Sequence, residues 1–343
     1  SSASGTPELS EAHLERGEEA VLFGGDVLWT RDYRPYLKEH GADYPARGLM
    51  PLLRSAQASV FVANHEGPIT KERAKCPPAK NWNYRSSTRN RKVLPKIGFT
   101  HLSLANNHAL DRCEQGMQDT IEHIGSVGIA TFGAGSTLDE AMKPALFEVG
   151  GLKIAVVGGM ESWSNYRKAD WGATDNQAGI FLLNKRQIPT ALERARESAD
   201  LVIAYPHWGA NYRPVSKAQR RLAERLLQGG ADMILGHHGH AAQEFGVWRD
   251  KPVLWGLGNL LFGTPGRFGH DKMQPGYGLI ARLVVKNGEA DRIEIIPIMV
   301  NNRLVDFQPR VCSVEEANGV LRGLVSEGNQ PVRIANGIAT LTL

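Results

Sequence analysis

Five short apolar runs in this chain each end at a cluster of Asp, Asn, Glu or His, and that repetition limits the possible folds more than any other feature. Residues 20–25 run into Asp26, and residues 58–63 end at Asn64-His65-Glu66-Gly67-Pro68. Residues 101–105 end at Asn106-Asn107-His108, and residues 201–206 at His207-Trp208-Gly209. Residues 232–235 run into Gly236-His237-His238-Gly239-His240. Short apolar runs bounded by turn residues read as buried strands. Between them lie segments of helical spacing: 45–55 with Leu49, Leu52 and Leu53 on one face, 116–127 with Met117, Ile121 and Ile124, and 188–198. Another opens at Ser216-Lys217-Ala218-Gln219 with capping-box spacing, runs to Leu227 and stops at Gly229-Gly230. Further strands are predicted at 151–159 and at 252–257, the latter ending at Gly258-Asn259. Strands alternating with helices imply an α/β fold with parallel pairing and helices on both faces.

Beyond residue 262 the period changes. Residues 277–285 and 292–300 flank Asn287-Gly288, a strong hairpin signal. Ser313-Val314-Glu315-Glu316 again has capping-box spacing and starts a C-terminal helix. Residues 1–17 are polar, with at most a short helix at 9–16. The chain therefore reads as a flexible N-terminal tail (1–17), a catalytic domain (18–300) and a C-terminal extension packed on that domain (301–343). The 343 residues and 42% hydrophobic content allow ample core.

With 40 basic against 36 acidic residues, the balance does not suit nucleic-acid binding. The basic charge is uneven, however: Lys71, Arg73, Lys75, Lys80, Arg85, Arg89, Arg91, Lys92 and Lys96 crowd residues 70–96, with Trp82 and Tyr84 among them. A loop this long is a solvated surface segment or a site-flanking loop that attracts anions. Arg85 is the best single candidate in it for an anionic substrate group, because guanidinium binds carboxylate or phosphate in two-pronged fashion. Cys76, Cys113 and Cys312 are odd in number and lack CxxC spacing, which argues against a disulfide framework. No apolar run is long enough to span a bilayer. The chain begins Ser1-Ser2-Ala3 without Met, which leaves room for a removed signal or anchor and hence for an extracytoplasmic or membrane-anchored full-length protein.

In α/β sheets ligands bind beyond the carboxyl ends of the strands. Here those ends carry Asp26, Asn64, Glu66, Asn107, His108, His207, His238 and His240. Carboxylates, amides and imidazoles together suit one or two divalent ions such as Mn, Fe or Zn. In extended chain a His-x-His spacing puts His238 and His240 on one side.

These stretches resemble the calcineurin-like metallophosphoesterase superfamily, and within it the CapA-type family linked to capsule and poly-γ-glutamate biosynthesis. The resemblance rests on Phe23-Gly24-Gly25-Asp26-Val27, Asn64 to Pro68, Leu104 to Asp111, Gly133-Ala134-Gly135 with Glu140-Ala141, His207-Trp208-Gly209, Gly236 to His240 and Gly256-Leu257-Gly258-Asn259. It implies a metallophosphatase sandwich of central sheets flanked by helices, ending in a β-hairpin and helix. It implies metal ligation by Asp26, Glu66, Asn107, His207, His238 and His240. His108 matches the histidine that acts on the leaving group, with Asp26 beside it as a catalytic residue. Asn64, Asp111, His237 and Asn259 line the site, and Trp208 forms a wall. The chain departs from the pattern at Leu28, where the superfamily has the His of Asp-x-His, at Gly239 in place of Pro, and at Asp111-Arg112-Cys113 in place of Asp-Tyr-Gly. Cys113 is taken as a bystander.

The implied activity is metal-dependent hydrolysis, with an activated water attacking a phosphoester or amide bond of an anionic substrate such as a polyglutamate-like peptide. Peptide epimerisation on the same scaffold and a non-catalytic polymer-binding role in a membrane-associated synthesis or export complex are the alternatives. His65 reads as a local hydrogen-bonding residue, His101 and His123 as structural, His13 and His40 as surface, and His270 as a minor candidate near the site. Trp29, Trp163 and Trp171 are as consistent with packing as with a pocket. Oligomeric state does not follow from the sequence.

Overall fold

A computed structural model describes residues 14–269, 274–326 and 332–343. Most of the helix expected at 9–16, together with His13, His270 and Lys272, lies outside those residues; the described part, Leu14 to Arg16, is not helical.

The alternation of apolar runs and helices produces two sheets packed face to face with helices outside, the sandwich of central sheets that the resemblance implies. In the first sheet Asn259–Phe262, Glu18–Leu28, Ala58–His65, His101–Ser103 and Ala130–Phe132 are parallel neighbours. On its other side the sheet continues antiparallel through Tyr277–Lys286 and Glu289–Met299, the hairpin expected about Asn287-Gly288. The C-terminal strands Ile338–Thr342 and Arg333–Ala335 extend it. In the second sheet Leu152–Glu161, Leu201–His207, Met233–Leu235 and Lys251–Leu254 are parallel. Antiparallel strands Ala145–Val149 and Phe245–Trp248 close its edges.

The inner layer is apolar from both sides: Val21, Phe23 and Val62 of the first sheet meet Ile154, Val156, Ile203 and Leu235 of the second. Because both faces of each sheet are covered, the strands read as continuous apolar runs rather than alternating ones. Gln187–Ser198 and Lys217–Gln228 lay Ile188, Leu192, Leu222 and Leu226 on the outer face of the second sheet. Both expected capping boxes form, Ser216 with Gln219 and Ser313 with Glu316. The segment expected as one helix over 45–55 is instead a 3-10 turn, Tyr44–Ala46, followed by Met50–Ser55.

The parallel halves of the two sheets point the same edge at each other. Polar residues at those carboxyl ends therefore converge although they lie more than 200 positions apart in sequence.

One buried charge pair sits in the first sheet. Arg282 and Glu294 face each other across the hairpin, with Nε to Oε2 at 2.6 Å, and both side chains are almost fully buried. Glu294 also accepts from Arg292 (2.9 Å), which holds Glu18 of the first strand at 2.8 Å. Removing one partner of a buried pair takes a counter-charge from the other, at a cost of about 3–5 kcal/mol. Glu294→Leu should lower the urea unfolding free energy by about that much. Adding Arg282→Leu should restore most of it, and a double variant no better than the single one would refute the pair's role. The Arg292 guanidinium, hydrogen-bonded to Glu18, pulls the Glu18 carboxyl down from its ordinary 4.5 to about 2. A depressed folded-state value contributes stability above pH 4.5 that is lost as the pH falls towards 2. Acid titration of unfolding should show that loss in the natural chain and lack it in Arg292→Ala.

Candidate metal centre

Asp26 owes its position to a break in the first strand. Pairing register shifts on both sides of Gly24-Gly25-Asp26. Gly25 passes so close to the neighbouring chain that a Cβ there would lie 1.7 Å from the Gly258 carbonyl oxygen. An irregularity of this kind bends a strand and re-aims the next side chain. Asp26 is fully buried, accepts from Asn64 Nδ2 at 2.8 Å and from the His238 backbone N–H at 3.1 Å, and donates its own N–H to Gly258 O. Glu66 follows the second strand, and Asn106 holds that corner by donating to Asn64 Oδ1 and the His65 carbonyl.

The histidine segment approaches from the second sheet. It is not extended, as the His-x-His reading assumed. His238 and His240 both have positive φ, 93° and 57°. Non-glycine residues adopt this region only in a small minority of positions. Two such residues around Gly239 turn the chain so that His238 and His240 rings come within 5.6 Å while His237 points to the opposite side.

Two groups of ligand atoms result. Those of Asp26, His207 and His237 lie within 4.8 Å of one another, as do those of Glu66, His238 and His240. His240 Nδ1 to Asp26 Oδ2 (3.4 Å) links them. His237, expected to line the substrate site, is instead in the Asp26 group, with Nδ1 3.3 Å from Asp26 Oδ1 and 3.0 Å from His207 Nδ1. Asn107 Oδ1 is 2.9 Å from His207 Nε2. Asn259 Oδ1 pairs with His240 Nδ1 at 2.9 Å, which leaves His240 Nε2 facing Glu66. The donor set fits divalent cations, because carboxylate oxygens and imidazole nitrogens converge in two buried groups and Glu66 Oε1 and Oε2 have no hydrogen-bond partner. Burial pushes the Glu66 carboxyl well above its usual range, with the Asp26 and Asp111 charges adding to it. Burial works the same way on Asp26, but hydrogen bonds from His237 and His240 outweigh it and hold that carboxyl well below its usual range. Burial drives His207 and His238 strongly towards neutral imidazole, the form that ligates metals.

His108 lies at the rim, its Nδ1 2.7 Å from Asp111 Oδ2 and its Nε2 3.8 Å from Glu66 Oε1. Burial lowers it to about 4, against the opposing charge of Asp111. The basic stretch is folded over this rim. Lys80 Nζ bonds Asp111 Oδ1 and the Asn107 carbonyl, and Tyr84 N donates to Asp111 Oδ2 at 2.6 Å. A groove of about 700 Å³ opens beside it, lined by Arg31, Arg34, Lys75, Lys80, Trp82 and Arg85 among others. Arg85 is exposed there, with Nη1 on the Lys71 carbonyl at 3.1 Å, away from the ligand cluster. Lys80 had no distinguishing signal in sequence, since eight other basic residues share its stretch.

Trp208 is not a pocket wall. It is fully buried, stacks on Trp255 at 5.7 Å and donates to its carbonyl at 2.8 Å. The wall is Trp163, 5.0 Å from the His238 ring and 6.4 Å from His207. Cys113 is no bystander either: it forms a disulfide with Cys76. The odd count concealed this, because the unpaired Cys312 is buried elsewhere. Leu28, in the place of the superfamily's first-motif His, is a fully buried packing residue.

Comparison with known proteins finds similarity over most of the chain. The family model described as bacterial capsule synthesis protein PGA_cap matches residues 20–264. The PGA biosynthesis protein CapA of Bacillus subtilis is 30% identical over 285 residues, 82% of this chain and 72% of that protein. The capsule biosynthesis protein CapA of Bacillus anthracis is 30% identical over 257 residues, 73% of this chain and 61% of that protein. A calcineurin-like phosphoesterase, YfkN of Bacillus subtilis, aligns over 86% of this chain and 88% of its own, at 10% identity and a TM-score of 0.41. The match spans every ligand-bearing motif from Asp26 to Asn259, and the chain belongs to the bacterial capsule synthesis protein PGA_cap family.

Proposed function

We propose that this chain is a metal-dependent hydrolase acting on an anionic substrate, of which a polyglutamate-like peptide is the leading example. The observation that carries the reading is the pair of buried ligand groups, Asp26 with His207 and His237 and Glu66 with His238 and His240, each with its ligand atoms within 4.8 Å of one another and with both Glu66 oxygens lacking a hydrogen-bond partner. Buried polar atoms ordinarily have partners, so a buried carboxylate without them is suited to an ion. Asp26, His207 and His237 would hold one cation and Glu66, His238 and His240 a second, with Asn107 beside the first. When bound, such ions polarise a scissile bond and lower the pKa of a water to about 7. His108, fixed by Asp111, is placed to hydrogen-bond the leaving group. Asn64 and Asn259 orient Asp26 and His240, and the basic groove supplies charge complementarity for the substrate.

A poly-γ-glutamate chain fits because the two Bacillus relatives are named for PGA and capsule biosynthesis, and because the groove carries cations with little opposing charge. The Cys76–Cys113 disulfide suits an oxidising compartment, in line with work outside the cytoplasm. Among the described residues no helix is long and apolar enough to cross a membrane. The same groove also suits holding a polymer without cutting it. Polymer binding that survives chelation and His238→Ala, in a chain without turnover, would favour that second reading.

Asp26→Asn and His238→Ala should each lose bound metal by elemental analysis and lose cleavage of a phosphodiester or γ-glutamyl peptide; full metal and turnover in either variant would refute the ligand set. Asn259→Ala removes only the partner of His240 Nδ1, and should weaken metal affinity about 10- to 100-fold. Arg85→Ala should raise KM at unchanged metal content, whereas unchanged kinetics would remove Arg85 from the substrate path. Incubation of a peptide substrate in deuterated water separates hydrolysis from epimerisation: deuterium at Cα without cleavage would replace the hydrolase reading.

A further inference from the structure

The loop over residues 70–96 is tied down at many points, and the ties converge on one side chain. Trp171 Nε1 donates to the Pro77 carbonyl at 2.7 Å. Arg112 spends its guanidinium on three backbone carbonyls of the loop, those of Arg73, Asn83 and Tyr84. Cys76 is bonded to Cys113, the first residue of the helix Cys113–Gly125 that directly follows Asp111 and Arg112. Between the disulfide and Tyr84 stands Lys80. Its ammonium sits on Asp111, 4.7 Å from the Trp171 ring centre and 3.4 Å from His108 Nδ1, with its side chain only 11% exposed. A lysine this enclosed costs desolvation that its partners must offset. Its charge opposes the rise of the Glu66 carboxyl, and it also bonds the Asn107 carbonyl at 2.6 Å, but it is in neither ligand group.

We propose that Lys80 is a positioning residue of the site and that the Cys76–Cys113 disulfide is the latch that seats it. The inference rests on the hydrolase reading for its effect on turnover, though not for its effect on the loop. Lys80 fixes Asp111, and Asp111 fixes His108. Reduction proceeds by thiol–disulfide exchange with a dithiol: one of its thiolates attacks a cystine sulfur, the S–S bond breaks, and the second thiol closes the donor's own disulfide. Cys76 and Cys113 are left as two thiols, and the loop loses its covalent tie to the helix that carries Asp111. Both sulfur-bearing residues are partly exposed, so a dithiol can reach them. In a reducing compartment the site stays loose, and in an oxidising one it assembles.

The test uses the full chain, oxidised, or reduced with dithiothreitol, desalted and reloaded with Mn, alongside Cys76→Ser, Lys80→Met and Lys80→Arg. Amide hydrogen exchange should quicken at least about tenfold across residues 76–92 on reduction and in Cys76→Ser, with the strands and metal content unchanged. Turnover should fall about 10- to 100-fold in those forms and in Lys80→Met, whose loop stays protected, and Lys80→Arg should recover part of it. Equal exchange in the oxidised and reduced chains would overturn the latch. Full turnover in Lys80→Met would overturn the role of Lys80. Loss of metal on reduction would overturn it too, by placing the effect at the metal centre. If the oxidised, metal-loaded natural chain has no turnover, the hydrolase reading fails and the exchange experiment alone still decides the latch.

Discussion

Asp26 joins the two sheets through a fully buried carboxylate. One oxygen takes the Asn64 amide from the neighbouring strand of the first sheet, and the other takes the His238 backbone N–H from the loop that leaves the second. A charge in that position is costly unless it is paired and hydrogen-bonded. Much of the surrounding architecture serves that need. Gly25 lets the strand pass against Gly258, the register break turns Asp26 inward, and the histidine segment adopts two left-handed residues to deliver both an N–H and its rings.

The consequence is an electrostatic division of labour among buried groups. Asp26 is held ionised by its imidazole neighbours, whereas Glu66, with no hydrogen bond to either oxygen, is pushed towards the neutral form until a cation is present. His207 and His238 are kept neutral by burial. Such a cluster is poor packing and poor hydrogen bonding taken alone. It becomes coherent as a preorganised ligand set, since strain and unsatisfied polar atoms collect where function requires them. Around it, Asn107, Asn259 and Asp111 each contact an imidazole nitrogen, those of His207, His240 and His108.

The basic loop shapes the surface beside the candidate site. Although long and polar, it is pinned by backbone carbonyls, a disulfide and an enclosed lysine, and so presents a shaped, positively charged groove. Trp163, Tyr84 and Phe262 surround the imidazole rim with aromatic rings, at 5.0 Å from His238, 4.4 Å from His108 and 4.5 Å from His240 respectively. The loop thus offers charge and the imidazole rim offers apolar surface within one continuous face of the molecule.

The sequence by itself determined the elements and most of the polar residues they carry. Apolar runs followed by Asp26, Glu66, His207 and His238 mark strands and their ends, because strand burial and polar strand termini are local properties. The Asn287-Gly288 hairpin and the Ser216 and Ser313 capping boxes were legible for the same reason, since each depends on a few adjacent residues. Tertiary structure decided the rest. The division of the strands between two sheets, which the family resemblance implies, does not follow from the apolar runs alone, because sheet membership depends on which strands pair across the chain and the runs do not encode their partners. His237 lies against Asp26 and His207, and Trp208 turned inward to Trp255, because the direction of a side chain after a strand depends on the φ of His238 and on neighbours from distant segments. The Cys76–Cys113 bond and the seat of Lys80 depend on how a 27-residue loop closes over the site, a distance relation that spacing along the chain does not contain.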